Sequence, residues 1–409
     1  MHRSDYGCGP ARKKVCLAFA QIIDAMPPGE TNMNGLAYNI SYWKAKNRVR
    51  LRASFARFFL GALCLTAMAA AALAESPIRS DEDVLFLPAL AYRNPAGLWV
   101  VNFRGYVFEP EPDSLKRRAL LSGLRSALDV SDDSPESEMM AERARLLLVD
   151  HKRGKKIRVH LFKREFHLAE SRSAGELRGS FLLPADSFSE ELQAGQNPEL
   201  EFFATAQDGR RFSGTIQIVE AVGVSVISDI DDTIKISNVL DKKELMRRTF
   251  IRNFEAVPGM AEVYRAHEAA GYSFHYVSGS PWQLYPPLAS FLKTAGFPDG
   301  TFHLRELSMD SILNFIDADP LEYKGAMISL LLRQMPQREF VLIGDSGEKD
   351  PEVYTAIATE YKRQIRAIVI HDVRPPGEVD ARIAELRARI PDTRFVVFRD
   401  AAEIATARF

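Results

Sequence analysis

Residues 222–233 read VGVSVISDIDDT, a short apolar run followed by a segment, DIDDT, that contains three aspartates. Four further apolar runs follow it, and a helical pattern separates each run from the next. They read YSFHYVSG from residue 272, EFVLIGDS from residue 339, IRAIVIHDV from residue 365 and RFVVF from residue 394. Continuous apolar runs indicate strands buried on both faces, and their alternation with helices predicts βαβ units in a parallel sheet. We therefore expect an α/β domain over residues 222–409, with its ligand site beyond the carboxyl ends of the strands.

Residues 83–220 have a different pattern, in which apolar and polar residues tend to alternate. Short strand-like runs stand at residues 99–103, 157–162 and 212–218, and turn-forming clusters separate them. One amphipathic helical stretch, residues 137–149, interrupts the series. This spacing predicts a small β-rich domain, a sandwich or a barrel, in front of the α/β domain.

The first 74 residues have the composition of a leader with a signal peptide. Residues 58–74 are apolar or small throughout, a basic stretch precedes them, and Ala72-Leu73-Ala74 has the small-x-small form that signal peptidases cut. We therefore expect an exported protein, either periplasmic or secreted. The alternative is an uncleaved membrane anchor, because about 17 apolar residues come close to the length that spans a bilayer.

The chain has 409 residues, 46% of them hydrophobic and 26% charged, which is typical of a globular protein long enough for two domains. Ten Lys and Arg residues but only three Asp and Glu residues fall before residue 75, so the remainder carries a formal charge of −8. This acidic character argues against nucleic acid as a partner. The three cysteines, Cys8, Cys16 and Cys64, all lie in the leader, which excludes disulfides and a cysteine nucleophile from the remainder.

Acidic and hydroxyl side chains follow three of the predicted strands. Asp229 and Asp231 follow the first strand, Ser278 follows the second and Asp345 follows the third. Lys324 stands at the front of a helical pattern between the second and third of these strands. Because parallel strands end at one edge of their sheet, we expect these groups to converge there.

This set of groups suits phosphoryl transfer. Asp229 can attack phosphorus and form an aspartyl-phosphate, and Asp231 can protonate the leaving oxygen and later accept a proton from water. Mg²⁺ suits an all-oxygen site made of the carboxylates of Asp229 and Asp345 and the backbone carbonyl of Asp231. Ser278 and Lys324 would hold the phosphoryl oxygens, on which negative charge spreads in the transition state.

Five further residues have supporting roles in this interpretation. Asp350 orients a metal-bound water or the lysine, Thr233 braces the turn, and Gly279 is a further supporting residue. The rings of Trp282 and Tyr285 form an apolar wall beside the phosphate. The simpler explanation for these two rings is that they only pack against the following helix.

The other motifs have simpler explanations as well. DIDDT could cap a helix or form a calcium loop, although that loop needs an acid at Thr233 and a glycine at Ile234. GDSG invites a serine-protease interpretation with Ser346 as nucleophile, but Glu348 replaces the next glycine and no convincing His and Asp partners stand upstream. A single lysine such as Lys324 is most often a solvated helix residue. The aspartates after the first strand, Ser278 after the second, Lys324 at a helix start and Asp345 after the third strand occur in this order. Together they favour the phosphoryl-transfer site.

The signatures hhhhDxDxT, hhhhS, Lys and hhhGDxxxxD, where h is an apolar residue, resemble the haloacid dehalogenase superfamily of phosphatases. More narrowly, four features resemble the catalytic domain of the actin-patch phosphatidate phosphatase family over roughly residues 226–373. They are VISDIDDTIK, FHYVSGSPWQLYPPLASFL, Lys324 and FVLIGDSGEKDPEVY. Residues 104–111, RGYVFEPE, resemble the amino-terminal region of that family more weakly.

The resemblance implies a Rossmann-like parallel sheet with a minimal cap. It also implies Mg²⁺-dependent hydrolysis of phosphatidate to diacylglycerol and phosphate. By motif, Asp229 is the nucleophile and Asp231 the acid and base, while Ser278 and Lys324 contact the phosphate. The implied metal site consists of Asp229, Asp231 and Asp345.

The substrate stays open at this point. The segments that could cover the site are short, about 40 residues before Ser278 and about 45 after it, which leaves room for a phosphate displayed on a membrane surface. The acidic charge argues against strong attraction to anionic membranes. The alternatives are a broad-specificity phosphatase for soluble esters and a recognition module without catalysis. We do not expect actin-related partners, because the sequence has no proline-rich tail like the one that docks the yeast member of the family.

Overall fold

The computed structural model describes residues 76–110, 115–131, 133–194, 200–306, 320–375 and 381–409. The segment Glu75–Phe409 forms one compact unit. The predicted leader, residues 1–74, lies outside the described residues, and the export signal stays a prediction. Within the described ranges, no helix has the length and apolar character needed to cross a bilayer.

Eight strands from the amino-terminal part form one sheet. They are β1 (Asp83–Arg93), β2 (Trp99–Pro110), β3 (Val149–His151), β4 (Arg158–Leu161), β5 (Arg164–His167), β6 (Glu176–Leu183), β7 (Leu200–Thr205) and β8 (Arg211–Val219). Their order is β3-β2-β1-β8-β7-β4-β5, with β6 also paired to β2, and all neighbours are antiparallel except β1 and β8. The three strand-like runs of the sequence fall in β2, β4 and β8. That this region is a separate sandwich-like domain stays a prediction.

Six strands form the second sheet, and every neighbouring pair in it is parallel. They are β9 (Val224–Ser228), β10 (Ser273–Pro281), β11 (Thr301–Arg305), β12 (Glu339–Asp345), β13 (Ile365–His371) and β14 (Arg394–Phe398), in the order β11-β10-β9-β12-β13-β14. Five of them coincide with the five apolar runs, so the prediction of a mixed α/β fold with a parallel sheet is confirmed. The edge strand β11 carries threonine, histidine and arginine, and its sequence therefore gives no continuous apolar run.

Nine helices connect the strands of the described residues. They are α1 (Leu115–Leu128), α2 (Pro135–Leu147), α3 (Ser189–Ala194), α4 (Lys242–Phe250), α5 (Met260–Ala269), α6 (Tyr285–Ala295), α7 (Pro320–Gln334), α8 (Asp350–Glu360) and α9 (Ala381–Ala388). The helix predicted at 137–149 is α2, which begins two residues earlier than expected. Ser134 caps it, because its hydroxyl accepts a hydrogen bond from the Ser137 N–H at 3.2 Å.

Apolar side chains cover both faces of the parallel sheet. On one face, Val226 of β9 packs in a cluster with Met260 of α5 and Tyr106 of β2. On the other face, Ile227 packs in a second cluster with Leu331 of α7. All five residues of β9 are buried, and burying each large aliphatic side chain contributes about 1.5–3 kcal/mol. This two-sided burial fixes the strand ends from which the candidate site is built.

The buried guanidinium of Arg338 holds the junction between β8 and β9. It donates hydrogen bonds to the backbone carbonyls of Glu220, Val222 and Val224 at 2.7, 3.0 and 2.8 Å. Its Nε also donates to Ser225 Oγ at 2.8 Å. Burial lowers the pKa of Arg338 to about 10, so the group is still charged at neutral pH. One side chain thus binds the first strand of the parallel sheet to the end of the eight-stranded sheet.

We expect Arg338→Met to lower the free energy of unfolding by about 3 kcal/mol, because four acceptors at this junction, two of them buried, then lose a donor. Chemical denaturation of the full-length protein at neutral pH measures this change. Arg366→Met is the matched control, since Arg366 is exposed and pairs with Glu339 at the surface at 3.3 Å. Equal losses in the two variants would contradict the role given to Arg338.

Candidate active site

The order in which the chain adds strands to the parallel sheet changes direction between β9 and β12. From β9 it adds β10 and β11 on one side and then returns to place β12 on the other side of β9. Ligands bind at such a switch point, beyond the carboxyl ends of the strands. Asp229 directly follows β9, Asp345 ends β12, and the Asp229 N–H donates to the Ile343 carbonyl at 2.9 Å. Two of the predicted site carboxylates therefore lie at the switch point.

The ammonium group of Lys324 brings three carboxylates together. Its Nζ lies 2.9 Å from Asp229 Oδ1, 2.7 Å from Asp350 Oδ1 and 2.8 Å from Glu348 Oε2. Only 2% of the Lys324 side chain is exposed, so this is not a solvated helix lysine. A buried charge requires paired and hydrogen-bonded surroundings, and the three protons of the ammonium match these three acceptors.

Burial and charge act against each other in this cluster. Burial raises the pKa of Asp229 well above its usual value, although the charge of Lys324 acts in the opposite direction. Burial also opposes the charge on Lys324, but the neighbouring carboxylates outweigh that effect and raise its pKa well above the usual value. Burial likewise raises the pKa of Asp345. The cluster holds more acidic groups than one lysine neutralises, and this favours the binding of a further cation.

Three of these carboxylates fit a metal ion. Asp229, Asp345 and Asp350 each offer one oxygen, and these oxygens lie within 4.8 Å of one another. Asp345 Oδ1 accepts hydrogen bonds from the N–H groups of Gly347 and Glu348 at 2.6 and 3.0 Å, which fixes this carboxylate. Its buried Oδ2 has no hydrogen-bond partner among the described residues. An unpaired buried carboxylate oxygen in an all-oxygen donor set suits a hard divalent cation.

Asp231 lies outside this carboxylate cluster and faces other groups. Its Oδ1 lies 2.7 Å from Lys235 Nζ and accepts a hydrogen bond from Ser237 Oγ at 2.7 Å. Its Oδ2 accepts hydrogen bonds from the hydroxyls of Ser278 and Ser280, both at 3.3 Å. Burial raises the pKa of Asp231, but the charge of Lys235 and the hydrogen bonds outweigh it, so the pKa is lowered. A metal contact through the Asp231 backbone carbonyl stays a prediction.

The turn that follows β9 depends on Asp232. This residue has a φ of +51°, in the left-handed region that aspartate tolerates better than most residues. Its carboxylate accepts hydrogen bonds from the N–H groups of Ser237, Asn238 and Val239 at 2.7, 2.9 and 2.6 Å. DIDDT therefore shapes a turn here, in place of the helix cap or calcium loop considered above. Thr233 is buried, and its hydroxyl lies 3.4 Å from Asp229 Oδ2.

Four side chains that contact this site, Lys235, Ser237, Ser280 and Glu348, are not predicted from the sequence. The sequence does contain a signal for Ser280, because residues two apart on a strand point to the same face. Lys235 and Ser237 reach Asp231 only through the turn after β9, which no periodicity predicts.

Trp282 packs against the amino-terminal sheet. It is 1% exposed, and its ring stacks on that of Tyr106 with centroids 3.8 Å apart and an interplanar angle of 2°. Tyr285 is half-buried and lies edge-on to Phe302, with centroids 5.0 Å apart. Both rings thus contact strand residues, Tyr106 of β2 and Phe302 of β11, and a contact with substrate stays a prediction. Gly279 is half-buried in β10, between the two serines.

The geometry around Ser346 does not favour the serine-protease alternative. Its hydroxyl donates to Asp372 Oδ1 at 3.1 Å and accepts a hydrogen bond from the Val373 N–H at 3.1 Å. A carboxylate and a backbone amide thus engage this hydroxyl, whereas a serine nucleophile needs an imidazole in that position.

Comparison with known proteins points to the same segment. The profile of the family described as "Phosphatidate phosphatase APP1, catalytic domain" matches residues 224–372. The chain is 36% identical to phosphatidate phosphatase APP1 of Saccharomyces cerevisiae over 187 residues, covering 42% of this chain and 31% of the yeast protein. It is 29% identical to an uncharacterized protein of Schizosaccharomyces pombe over 168 residues, covering 40% of this chain and 27% of that protein. The chain thus resembles the catalytic domain of this phosphatase family and spans less than a third of each relative.

Two solved structures also align with the chain. A 2,6-sialyltransferase from Photobacterium is 10% identical and has a TM-score of 0.21, with 61% of this chain and 55% of that chain covered. A carbohydrate esterase is 11% identical and has a TM-score of 0.20, with 70% of this chain and 88% of that chain covered. Likenesses at this level carry no argument about fold or function.

We expect Lys324→Met to lower the free energy of unfolding at pH 8 by about 3 kcal/mol, because it leaves buried carboxylates without their counter-charge. The substitution raises the pKa of Asp229 and Glu348 further, so the folded state binds more protons than the unfolded state. The free energy of unfolding of the variant then falls as pH rises. Its difference from the wild type should therefore be smaller at pH 5 than at pH 8.

Denaturation curves in EDTA at both pH values measure this effect. Lys349→Met is the matched control, because Lys349 is 55% exposed and lies 4.0 Å from Glu352. If the loss of unfolding free energy in Lys324→Met is the same at pH 5 and pH 8, the assignment of Lys324 as the counter-charge is contradicted.

Proposed function

We propose that this chain is a haloacid dehalogenase-like, Mg²⁺-dependent phosphatase that hydrolyses phosphatidate through an aspartyl-phosphate on Asp229. The observation that carries the proposal is the buried contact of 2.9 Å between Lys324 and Asp229, beside a carboxylate cluster that fits a metal ion. This cluster lies in the segment that matches the phosphatidate phosphatase family. The name of the yeast relative supports phosphatidate as the substrate. The apolar run at residues 58–74 supports an exported location.

In the first step, a carboxylate oxygen of Asp229 attacks phosphorus. The bond from Asp229 to phosphorus forms, and the bond from phosphorus to the glycerol oxygen breaks. Asp231 donates its proton to that oxygen, so diacylglycerol leaves as a neutral alcohol. A phosphate dianion beside Asp231 raises the pKa of its carboxyl group and offsets the effect of Lys235, because like charges disfavour ionisation.

In the second step, Asp231 accepts a proton from water while the water oxygen attacks phosphorus. The bond between phosphorus and Asp229 breaks, the carboxylate is restored and inorganic phosphate leaves. The lowered pKa of Asp231 suits this step, because the base must be ionised. Ser278 lies 3.3 Å from Asp231, so its hydroxyl can hold a phosphoryl oxygen next to the proton donor.

Asp229, Asp345 and Asp350 would hold Mg²⁺. When bound, this ion supplies positive charge that lets an anionic nucleophile approach an anionic phosphate. Lys324 supplies further positive charge within hydrogen-bond distance of Asp229 and Asp350. It opposes the burial that raises the pKa of Asp229 and so favours the ionised form that attack requires.

We expect Asp229→Asn to reduce phosphate release about 10³-fold or more, because the nucleophilic carboxylate is lost. The assay uses the purified full-length chain with Mg²⁺ and two substrates, phosphatidate in detergent micelles and a soluble aryl phosphate. Asp208→Asn is the control, since Asp208 is partly exposed and pairs with Arg210. Undiminished turnover in Asp229→Asn, or the absence of a phosphorylated Asp229 after acid quench of the wild type, would contradict the mechanism.

The same assay separates the candidate functions. A strong preference for phosphatidate supports the proposed substrate, whereas equal release from both substrates indicates a broad-specificity phosphatase for soluble esters. No release from either substrate indicates a recognition module without catalysis.

We expect millimolar Mg²⁺ to raise the midpoint of thermal unfolding of the wild type by about 3 °C or more, because a ligand that binds only the folded state stabilises it. Asp345→Asn should abolish this shift, since it replaces the carboxylate whose Oδ2 is unpartnered among the described residues. Asp208→Asn again provides the control and should keep the full shift. A shift of equal size in Asp345→Asn would place the ion elsewhere.

A further inference from the structure

A groove runs along α2. It consists of two clefts of about 760 and 530 Å³ that meet at Arg145, Leu146 and Pro286. The larger cleft lies between α2 and α6, and the smaller one lies between α2 and strands β1 and β2. We call this surface the α2 groove. Apolar side chains dominate its lining, among them Leu85, Phe108, Met139, Leu146, Phe254 and Phe291.

Two chain segments connect the α2 groove to the candidate active site. Phe254 and Ala256 line the groove, Ala256 forms a β-bridge with Lys235, and the Phe254 ring centroid lies 5.1 Å from Lys235 Nζ. That same Nζ lies 2.7 Å from Asp231. Pro286, which also lines the groove, follows the active-site end of β10 by five residues. Two residues of the groove lining therefore contact Lys235, which pairs with the proposed acid and base.

Gln283 lines the smaller cleft with a side-chain amide that has no partner among the described residues. The residue is 2% exposed, and neither Nε2 nor Oε1 makes a hydrogen bond. The indole N–H of Trp282 and Nδ1 of His151, whose ring centroids lie 6.0 Å apart, have no partner there either. Each unpaired buried polar group costs about 1–3 kcal/mol, so a cluster of them points to a ligand with hydrogen-bonding groups of its own.

We propose that the α2 groove binds the diacylglycerol part of a lipid phosphomonoester, with the Gln283 amide hydrogen-bonded to an ester group. This inference rests on the proposed function and names a binding site for that substrate. The ester oxygens of such a lipid are acceptors that match the free amide and indole donors, and they lie only a few bonds from phosphorus. The acyl chains match the apolar lining, where each buried methylene contributes about 0.8 kcal/mol. A sugar phosphate would leave most of its hydroxyls unpaired in the smaller cleft, whose lining is apolar apart from Asp83, Arg145 and Gln283.

The Gln283→Leu variant tests the polar contact without a large change in volume. It removes a buried amide that has no described protein partner, so its thermal midpoint should equal or exceed that of the wild type. We expect kcat/KM for phosphatidate to fall about tenfold, as for one lost ligand hydrogen bond, while kcat/KM for the aryl phosphate stays unchanged. If the amide contacts only buried water, phosphatidate hydrolysis stays at the wild-type level, and the proposal is wrong.

A second variant, Leu146→Trp, fills the groove where the two clefts meet. In the wild type, kcat/KM should rise with acyl-chain length for soluble, short-chain phosphatidates, and this dependence should flatten in Leu146→Trp. Leu182→Trp is the matched control, because Leu182 is 62% exposed on β6 and does not line the groove. Losses of equal size on phosphatidate and on the aryl phosphate in both groove variants would overturn the proposal.

Binding without turnover separates this inference from the proposed function. Dioctanoylglycerol carries the ester groups and chains but no phosphate, and calorimetry can follow its binding to the wild type and to Gln283→Leu. Binding that weakens about tenfold in the variant supports the groove even if neither phosphate ester is hydrolysed. Hydrolysis of phosphatidate together with no detectable binding of dioctanoylglycerol would overturn the groove and leave the proposed function standing.

Discussion

The burial of one ammonium group among three carboxylates is the constraint on which the site depends. Lys324 comes from α7, whereas its partners come from the end of β9, from the segment that joins β12 to α8, and from the first residue of α8. A buried ion pair is tolerated only when its geometry is good and its remaining hydrogen-bonding groups are satisfied. The parallel sheet must therefore hold these elements in register. The two apolar clusters on its faces supply the free energy that burying the charges requires.

The amino-terminal sheet takes part in the same construction. Tyr106 of β2 stacks on Trp282, which directly follows the strand that presents Ser278 and Ser280 to Asp231. Tyr106 also accepts a hydrogen bond from Arg104 at 2.8 Å. Through this stacking, β2 lies against the end of β10. A residue far from the chemistry can thereby fix the position of two hydroxyls that contact the proposed acid and base.

Buried strands and the residues directly after them could be predicted from the sequence, because a parallel strand covered on both faces needs an uninterrupted apolar run. The positions of Asp229 and Asp345 follow from that rule alone. The edge strand β11 could not be predicted this way, since an edge tolerates polar residues such as Thr301 and His303. Lys235 escaped prediction for another reason, because its contact with Asp231 depends on the left-handed turn at Asp232.

Asp229 and Asp231, two of the three aspartates after β9, illustrate how the environment can separate chemically identical groups. Burial raises the pKa of Asp229. Burial also acts to raise the pKa of Asp231, but the charge of Lys235 and the hydrogen bonds from Lys235 and Ser237 lower it. The proposed mechanism needs an ionised nucleophile and a protonated acid, so each group has the opposite tendency to the one that its proposed first step requires. A cation in addition to Lys324 beside Asp229, and a phosphate dianion beside Asp231, would each oppose that tendency. In the proposed mechanism, the reactive protonation states of Asp229 and Asp231 therefore depend on the charges that accompany the substrate.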